Sequence, residues 1–114
     1  MKKVEAVIAT EKVGAVNDAL KKAGVGGVTV LEGKGRGAGH RETVSSGRGT
    51  GSYVPEFHSR ASIVTVVDES KVDAAINAIL SAASTGSPGD GKIFISSVED
   101  AVDVGSKKRG KDAI

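Results

Sequence analysis

The chain has 114 residues, enough for one domain with a real core, and that core is aliphatic because tryptophan is absent and aromatics make up only 3%. It has no cysteine, which excludes disulfides and thiolate metal sites, and its net charge of +2 is too small to argue for nucleic acid. No apolar run reaches the ~18 residues of a membrane span, and the opening MKKVEAVIAT has an acid inside it and is no signal peptide, so a cytoplasmic protein without membrane insertion is expected.

Val4 to Ala9 alternates apolar and polar positions and reads as a strand. Thr10 and Glu11 look like a helix N-cap and a first-turn acid. Val13, Val16, Leu20 and Ala23 recur at helical spacing, and Gly24 stops the helix. Gly27 to Glu32 reads as a second strand. From Gly33 to Ser59 the chain has no periodicity and is rich in Gly, Ser, Arg and Thr. A loop of that length in a compact domain is uncommon, and a mobile binding loop that orders on a partner is expected. The scheme then returns. Ser62 to Val67 is a strand, Asp68 an N-cap, and Val72, Ala75, Ile76, Ile79 and Leu80 form the apolar face of a helix. Lys92 to Val98 is the fourth strand.

The two helices match at an offset of 59, with Lys12-Val13 over Lys71-Val72 and Ala15, Ala19, Leu20 and Ala23 over Ala74, Ala78, Ile79 and Ala82. A doubled βαβ unit of this kind predicts an α+β fold: a ferredoxin-like βαββαβ sandwich, one antiparallel sheet with both helices on one face. The other face is then uncovered. Its positions read as apolar, so a second subunit is expected there.

Between the second helix and the last strand lies Thr85-Gly-Ser-Pro-Gly-Asp-Gly-Lys-Ile-Phe94. Glycine lets the backbone approach a ligand closely and turn N–H groups inward, and lysine adds a point charge that suits phosphate. The segment fits an ordinary helix-to-strand turn equally well. Gly35-Arg-Gly-Ala-Gly39 is glycine-rich but lacks the Lys-Ser/Thr ending of a Walker A loop. Arg36, Arg41, Arg48 and Tyr53 are too few for a nucleic-acid stacking platform. His40 and His58, one at each base of the long loop, are either metal or anion ligands or unrelated side chains.

Along nearly its whole length the chain resembles the PII signal-transduction proteins. The resemblance is carried by MKKVEAVI, Gly26-Gly-Val-Thr-Val30, Lys34-Gly35-Arg36-Gly37, Gly39-His40-Arg41-Glu42, Thr85-Gly86, Gly89-Asp-Gly-Lys-Ile-Phe94 and Asp112-Ala-Ile114, in the expected order. It implies one domain over residues 1–114, with a T-loop at about 36–58, a B-loop at about 84–92 and a C-terminal loop at about 103–114. It further implies a homotrimer that binds ATP, ADP or AMP in clefts between subunits and reaches a target protein, a membrane transporter or metabolic enzyme, through the T-loop. The implied nucleotide-binding residues are Thr29, Gly35, Arg36, Gly37, Arg60, Val66, Pro88, Gly89, Asp90, Gly91 and Lys92, with no catalytic residue.

Two departures alter what the resemblance implies. The family members that sense 2-oxoglutarate carry an Arg-Gln pair at the base of the T-loop, and the glutamine helps hold magnesium and the keto acid. Here Gly37 is followed by Ala38-Gly39-His40, and no glutamine occurs anywhere. The usual 2-oxoglutarate mode is therefore not expected, and a role for Mg2+ stays open. The family's Arg-x-Arg phosphate grip aligns with Asp103 and Gly105, so Asp103 is expected either to point away from phosphate or to lower affinity for the most charged nucleotides, with Lys107, Lys108 and Arg109 as replacements or as a solvated tail. Two classes follow: a nucleotide-reading regulatory module, or a metal- or small-anion-responsive trimer of similar (CutA-like) architecture using His40 and His58.

Overall fold

The computed structural model describes residues 1–38, 44–45, 52–53 and 56–114. Its elements in chain order are β1 (Lys2–Ala9), α1 (Val13–Lys22), β2 (Thr29–Gly35), β3 (Val44–Ser45), β4 (Ser52–Tyr53), β5 (His58–Val67), α2 (Val72–Ala83) and β6 (Gly91–Ser97). The four long strands form one antiparallel sheet in the order β2-β5-β1-β6. This is the ferredoxin-like arrangement expected of a doubled βαβ unit.

The period-two pattern decides which face of the sheet is buried. Val4, Ala6 and Ile8 of β1 and Ala61, Ile63, Thr65 and Val67 of β5 point at the helices and are buried. Val16 and Leu20 of α1 and Ala75, Ile79 and Ala83 of α2 close over them, and the cluster is aliphatic throughout. The hydroxyl of Thr65, the polar side chain buried within it, donates to the Gly27 carbonyl at 2.6 Å. That bond ties the α1–β2 connection to the middle of the sheet.

The helix starts differ from expectation on one side. Asp68 caps as its residue type predicts, its carboxylate accepting from the Ser70 N–H at 3.1 Å ahead of a 3-10 turn, Glu69–Lys71. The equivalent 3-10 turn in the first half, Thr10–Lys12, has Ala9 at the cap position and no side-chain cap. The offset of 59 sets Ala9 against Asp68, so Thr10 falls one residue too late to cap. Its Oγ1 is instead buried without a hydrogen-bond partner.

Three further expectations are corrected. The β2–β5 ladder runs past Glu32 and reaches Gly35 opposite His58. Backbone pairing carries it through a stretch with no apolar alternation. The segment expected to be structureless also contains a short antiparallel pair, Val44–Ser45 with Ser52–Tyr53. The open sheet face, expected to be apolar, is mixed. By register it carries Val7, Leu31, Val64, Val66 and Phe94 together with Lys3, Glu5, Ser62, Lys92 and Ser96. Glu5 is not left bare, because Ser62 Oγ donates to its carboxylate at 2.5 Å. No described helix is long and apolar enough to cross a membrane.

The one-sided burial of the helices yields a contrast. Leu20 is 1% exposed and Leu80 50% exposed. Leu20→Ala is expected to cost about 2–5 kcal/mol in denaturant unfolding, and Leu80→Ala in the isolated chain roughly 1 kcal/mol or less.

Candidate functional site

The glycine-rich segment between α2 and β6 is shaped by its own side chains. Gly91 has φ +124°, and a Cβ there would strike the Val7 carbonyl. Gly91 is therefore demanded by the fold: it lets β6 begin against the backbone of β1. Gly89 differs. It has no positive φ, and a Cβ would meet nothing closer than Ser87 Oγ at 3.9 Å. The fold does not require glycine at that position, whereas close approach of a ligand to the backbone would.

Asp90 faces into its own loop. Its carboxylate accepts from the Thr85 N–H at 2.6 Å, the Thr85 hydroxyl at 2.5 Å and the Ser87 N–H at 3.2 Å. The Asp90 N–H donates to the Ser87 carbonyl at 3.1 Å and closes the turn. The Thr85 hydroxyl, and after it the Thr85 N–H, hold the Asp90 carboxyl below its ordinary value of 3.8. The charged form is thus present at neutral pH, and this contribution to loop order fades only as pH falls below 3.8.

Arg60 joins this loop to the base of the long one. It lies opposite Ala9 on β1 and Gly33 on β2. Its side chain crosses β1 beyond the small Ala9, and Nη1 donates to the Gly89 carbonyl at 3.0 Å. On the other side its stem lies against Gly35, where a Cβ would come within 3.1 Å of Arg60 Cγ. Arg36, just past β2, pairs with Glu56 at 3.3 Å. Both side chains are half exposed, so that tie is weak. Lys92 lies opposite Val7 on the open face and is exposed. No described residue pairs with its ammonium.

The residues expected at the site therefore separate into two groups within one chain. Gly35, Arg36, Gly37, Arg60 and Pro88 to Lys92 gather at one end of the sheet. Thr29 and Val66 lie towards the other end, with Thr29 opposite Val64. Val66 lies six residue steps along β5 from Arg60, about 20 Å. Two hollows flank the glycine-rich segment. One, of about 100 Å³, is lined by residues that include Lys12, Thr85, Ser87 and Gly89. The other, a groove of about 260 Å³, is lined mainly by Ile8, Ile79, Leu80, Ala83 and Ile93, with Lys92 at its edge. Neither includes Thr29, Arg60 or Val66.

The C-terminal segment is held by ion pairs of its own. Arg109 forks onto one Asp100 oxygen through Nε at 3.0 Å and Nη2 at 2.6 Å. That interaction, with the Ala101 N–H, lowers the Asp100 pKa. The Asp103 carboxylate accepts from the Ser106 N–H at 2.8 Å and so turns into its own bend. Lys111 pairs with Asp68 at 3.0 Å. Arg109 is thus committed to Asp100, and Lys107 and Lys108 remain exposed.

Thr85, Ser87, Glu56 and Asp100 are the residues that sequence reasoning left out of the site. Ser87 stands three residues before Asp90, a turn-closing spacing that offered a signal; Glu56 and Asp100 offered none. His58 opens β5, whereas His40, Arg41, Glu42 and Arg48 lie outside the described residues. Among the described residues no three His, Asp or Glu side chains converge as a metal site.

The model of the family described as nitrogen regulatory protein P-II matches residues 1–108. The chain belongs to this P-II family. It is 44% identical to a nitrogen regulatory protein P-II of Rhodobacter capsulatus and 44% identical to one of Azospirillum brasilense, in each case over the full length of both chains. A Synechocystis protein of the same name is also 44% identical over its full length. The P-II relationship makes this a regulatory, signal-transducing protein and not an enzyme.

The two glycines of the loop have different expected sensitivities. Gly91→Ala should lose roughly 2–4 kcal/mol of stability, because both φ and space oppose a side chain. Gly89→Ala should stay within about 0.5 kcal/mol in the same thermal or denaturant melt.

Proposed function

We propose that the chain is a cytoplasmic P-II regulator that binds an adenine nucleotide (ATP, ADP or AMP) between subunits of a homotrimer and signals to a target transporter or enzyme through residues 36–58. The observation that carries the reading is the contact of Arg60 with Gly89 at the end of the open sheet face, with Lys92 on that same face three residues further along the chain. A backbone position free of any fold requirement for glycine meets a guanidinium with most of its donors unused, and the same face carries an ammonium with which no described residue pairs. That is a place for phosphate.

The division of the expected residues into two groups about 20 Å apart supports a cleft shared by two subunits. Thr29 and Val66 of one copy would meet the base while Gly35, Arg36, Gly37, Arg60 and the 84–92 loop of the next hold the phosphates. The hollows of the single chain are below the ~300 Å³ at which small-molecule pockets begin, which favours the same arrangement. Leu31 and Phe94, 61% and 54% exposed on the open face, supply apolar area for the contact. Magnesium would be held chiefly by the nucleotide's own phosphates. With Arg109 tied to Asp100, no guanidinium of the C-terminal segment is free for a third phosphate, so preference for ATP over ADP is small.

Calorimetric titration with ADP and ATP tests the reading, with light scattering on the same sample. A trimeric mass and saturable binding are expected. Lys92→Ala should weaken binding by about 1.5–3 kcal/mol. Unchanged affinity in that variant would remove the phosphate role, and a monomeric mass at micromolar concentration would remove the shared cleft. Adding 2-oxoglutarate should not tighten ATP binding, since no glutamine is present to hold it; a tenfold gain, about 1.4 kcal/mol, would overturn that part.

A further inference from the structure

We infer that Asp90 is a positioning residue that clasps the 84–92 loop through Thr85 and Ser87, and that it directs phosphate to the Gly89, Arg60 and Lys92 side. The inference rests on the nucleotide reading above and goes beyond it, because it assigns the donors that the ligand does not use.

A run of backbone N–H groups in a tight turn is an anion-binding concavity. In this loop the anion is already present. One Asp90 oxygen receives the Thr85 and Ser87 N–H groups and the other receives the Thr85 hydroxyl. Three of the carboxylate's roughly four acceptor positions are therefore filled from within the loop. A phosphate that sought the same N–H groups would have to displace a charge-assisted set and then sit against the carboxylate it displaced. The clasp has a geometric consequence as well. Asp90 stands between Gly91, fixed against Val7, and Gly89, whose carbonyl is held by Arg60. With residues 85, 87, 89 and 91 all tied, the loop meets a ligand already formed, and the ordering cost on binding is reduced. Arg60 spends one of its five N–H donors on Gly89, and no described residue pairs with Lys92. Those are the groups left for phosphate.

The test uses the full chain and its Asp90→Ala, Asp90→Glu, Thr85→Val and Asp90→Ala/Thr85→Val variants. Hydrogen exchange in the nucleotide-free protein reads the clasp directly. Asp90→Ala should speed exchange at the Thr85 and Ser87 amides by about tenfold while the amides of α1 and the melting temperature are unchanged. ADP affinity should fall about tenfold in Asp90→Ala, and the double variant should bind no worse than Asp90→Ala alone, because Thr85→Val breaks only a contact that Asp90→Ala has already removed. Asp90→Glu, which keeps the charge on a longer arm, should not rescue affinity. Rescue by Asp90→Glu, additive losses in the double variant or unchanged exchange in Asp90→Ala would each overturn the positioning role. The first would point to direct charge contact with ligand or magnesium. A wild-type chain that takes up neither ADP nor ATP overturns the nucleotide reading and the ligand half of this inference, while exchange at Thr85 and Ser87 still decides the clasp.

Discussion

Gly91 sits so close to β1 that its absent side chain is what allows β6 to begin where it does. The start of β6 sets the end of the preceding loop, and so the place of Asp90, Gly89 and Lys92 relative to Ala9 and Arg60. A side chain at Gly91 would push the strand off Val7 and open the antiparallel register from Ile8–Gly91 onwards. The local turn chemistry of Asp90 and the long reach of Arg60 both presuppose that contact. Backbone packing at one glycine therefore positions a set of side chains drawn from two strands and a loop.

Several charges among the described residues act as ties between segments. Asp68 with Lys111, Asp100 with Arg109, Arg36 with Glu56 and Asp90 with its own loop each fix one segment against the next. All involve solvent-exposed groups, so each ion pair is worth little to global stability. Their effect is on shape: they hold segments that have few buried apolar contacts of their own. Among the described cationic side chains near the glycine-rich loop, Lys12, Lys92 and most of Arg60 are spared from such ties, and Lys92 and Arg60 lie on the same face of the sheet. In the C-terminal segment Arg109 is tied while Lys107 and Lys108 stay exposed.

The pseudo-repeat explains both the economy of the fold and its asymmetry. The two halves bury equivalent helix positions, Val16 and Leu20 in one and Ala75 and Ile79 in the other. They diverge at the starts of their helices. The first half starts its helix from Ala9, which cannot cap, and the second from Asp68, which does. Ala9 also stands opposite Arg60, whose guanidinium reaches Gly89. The missing cap and the crossing guanidinium meet at the same residue.

Much of this was determined by the sequence alone. Period-two and helical spacing in Val4 to Val98 carried the α+β sandwich, because burial on one face of each element leaves a direct trace in residue order. The glycines and lysine of 85–94 carried the candidate loop, because close backbone approach and phosphate charge both depend on residue type. What residue order could not carry was partnership across distance. Glycine at 89 and at 91 reads alike in sequence; only β1 packing separates the one the fold needs from the one it does not. Residue order does not say that the Asp90 carboxylate accepts from Thr85 and Ser87. Arg109 reads as a spare cation until Asp100 is seen beside it. The open face reads as apolar until the register sets Lys3, Glu5 and Lys92 among the valines. Each of these is decided by which atoms the folded chain brings within about 3 Å of one another. A linear sequence specifies the donors and acceptors, and the tertiary structure specifies their pairing.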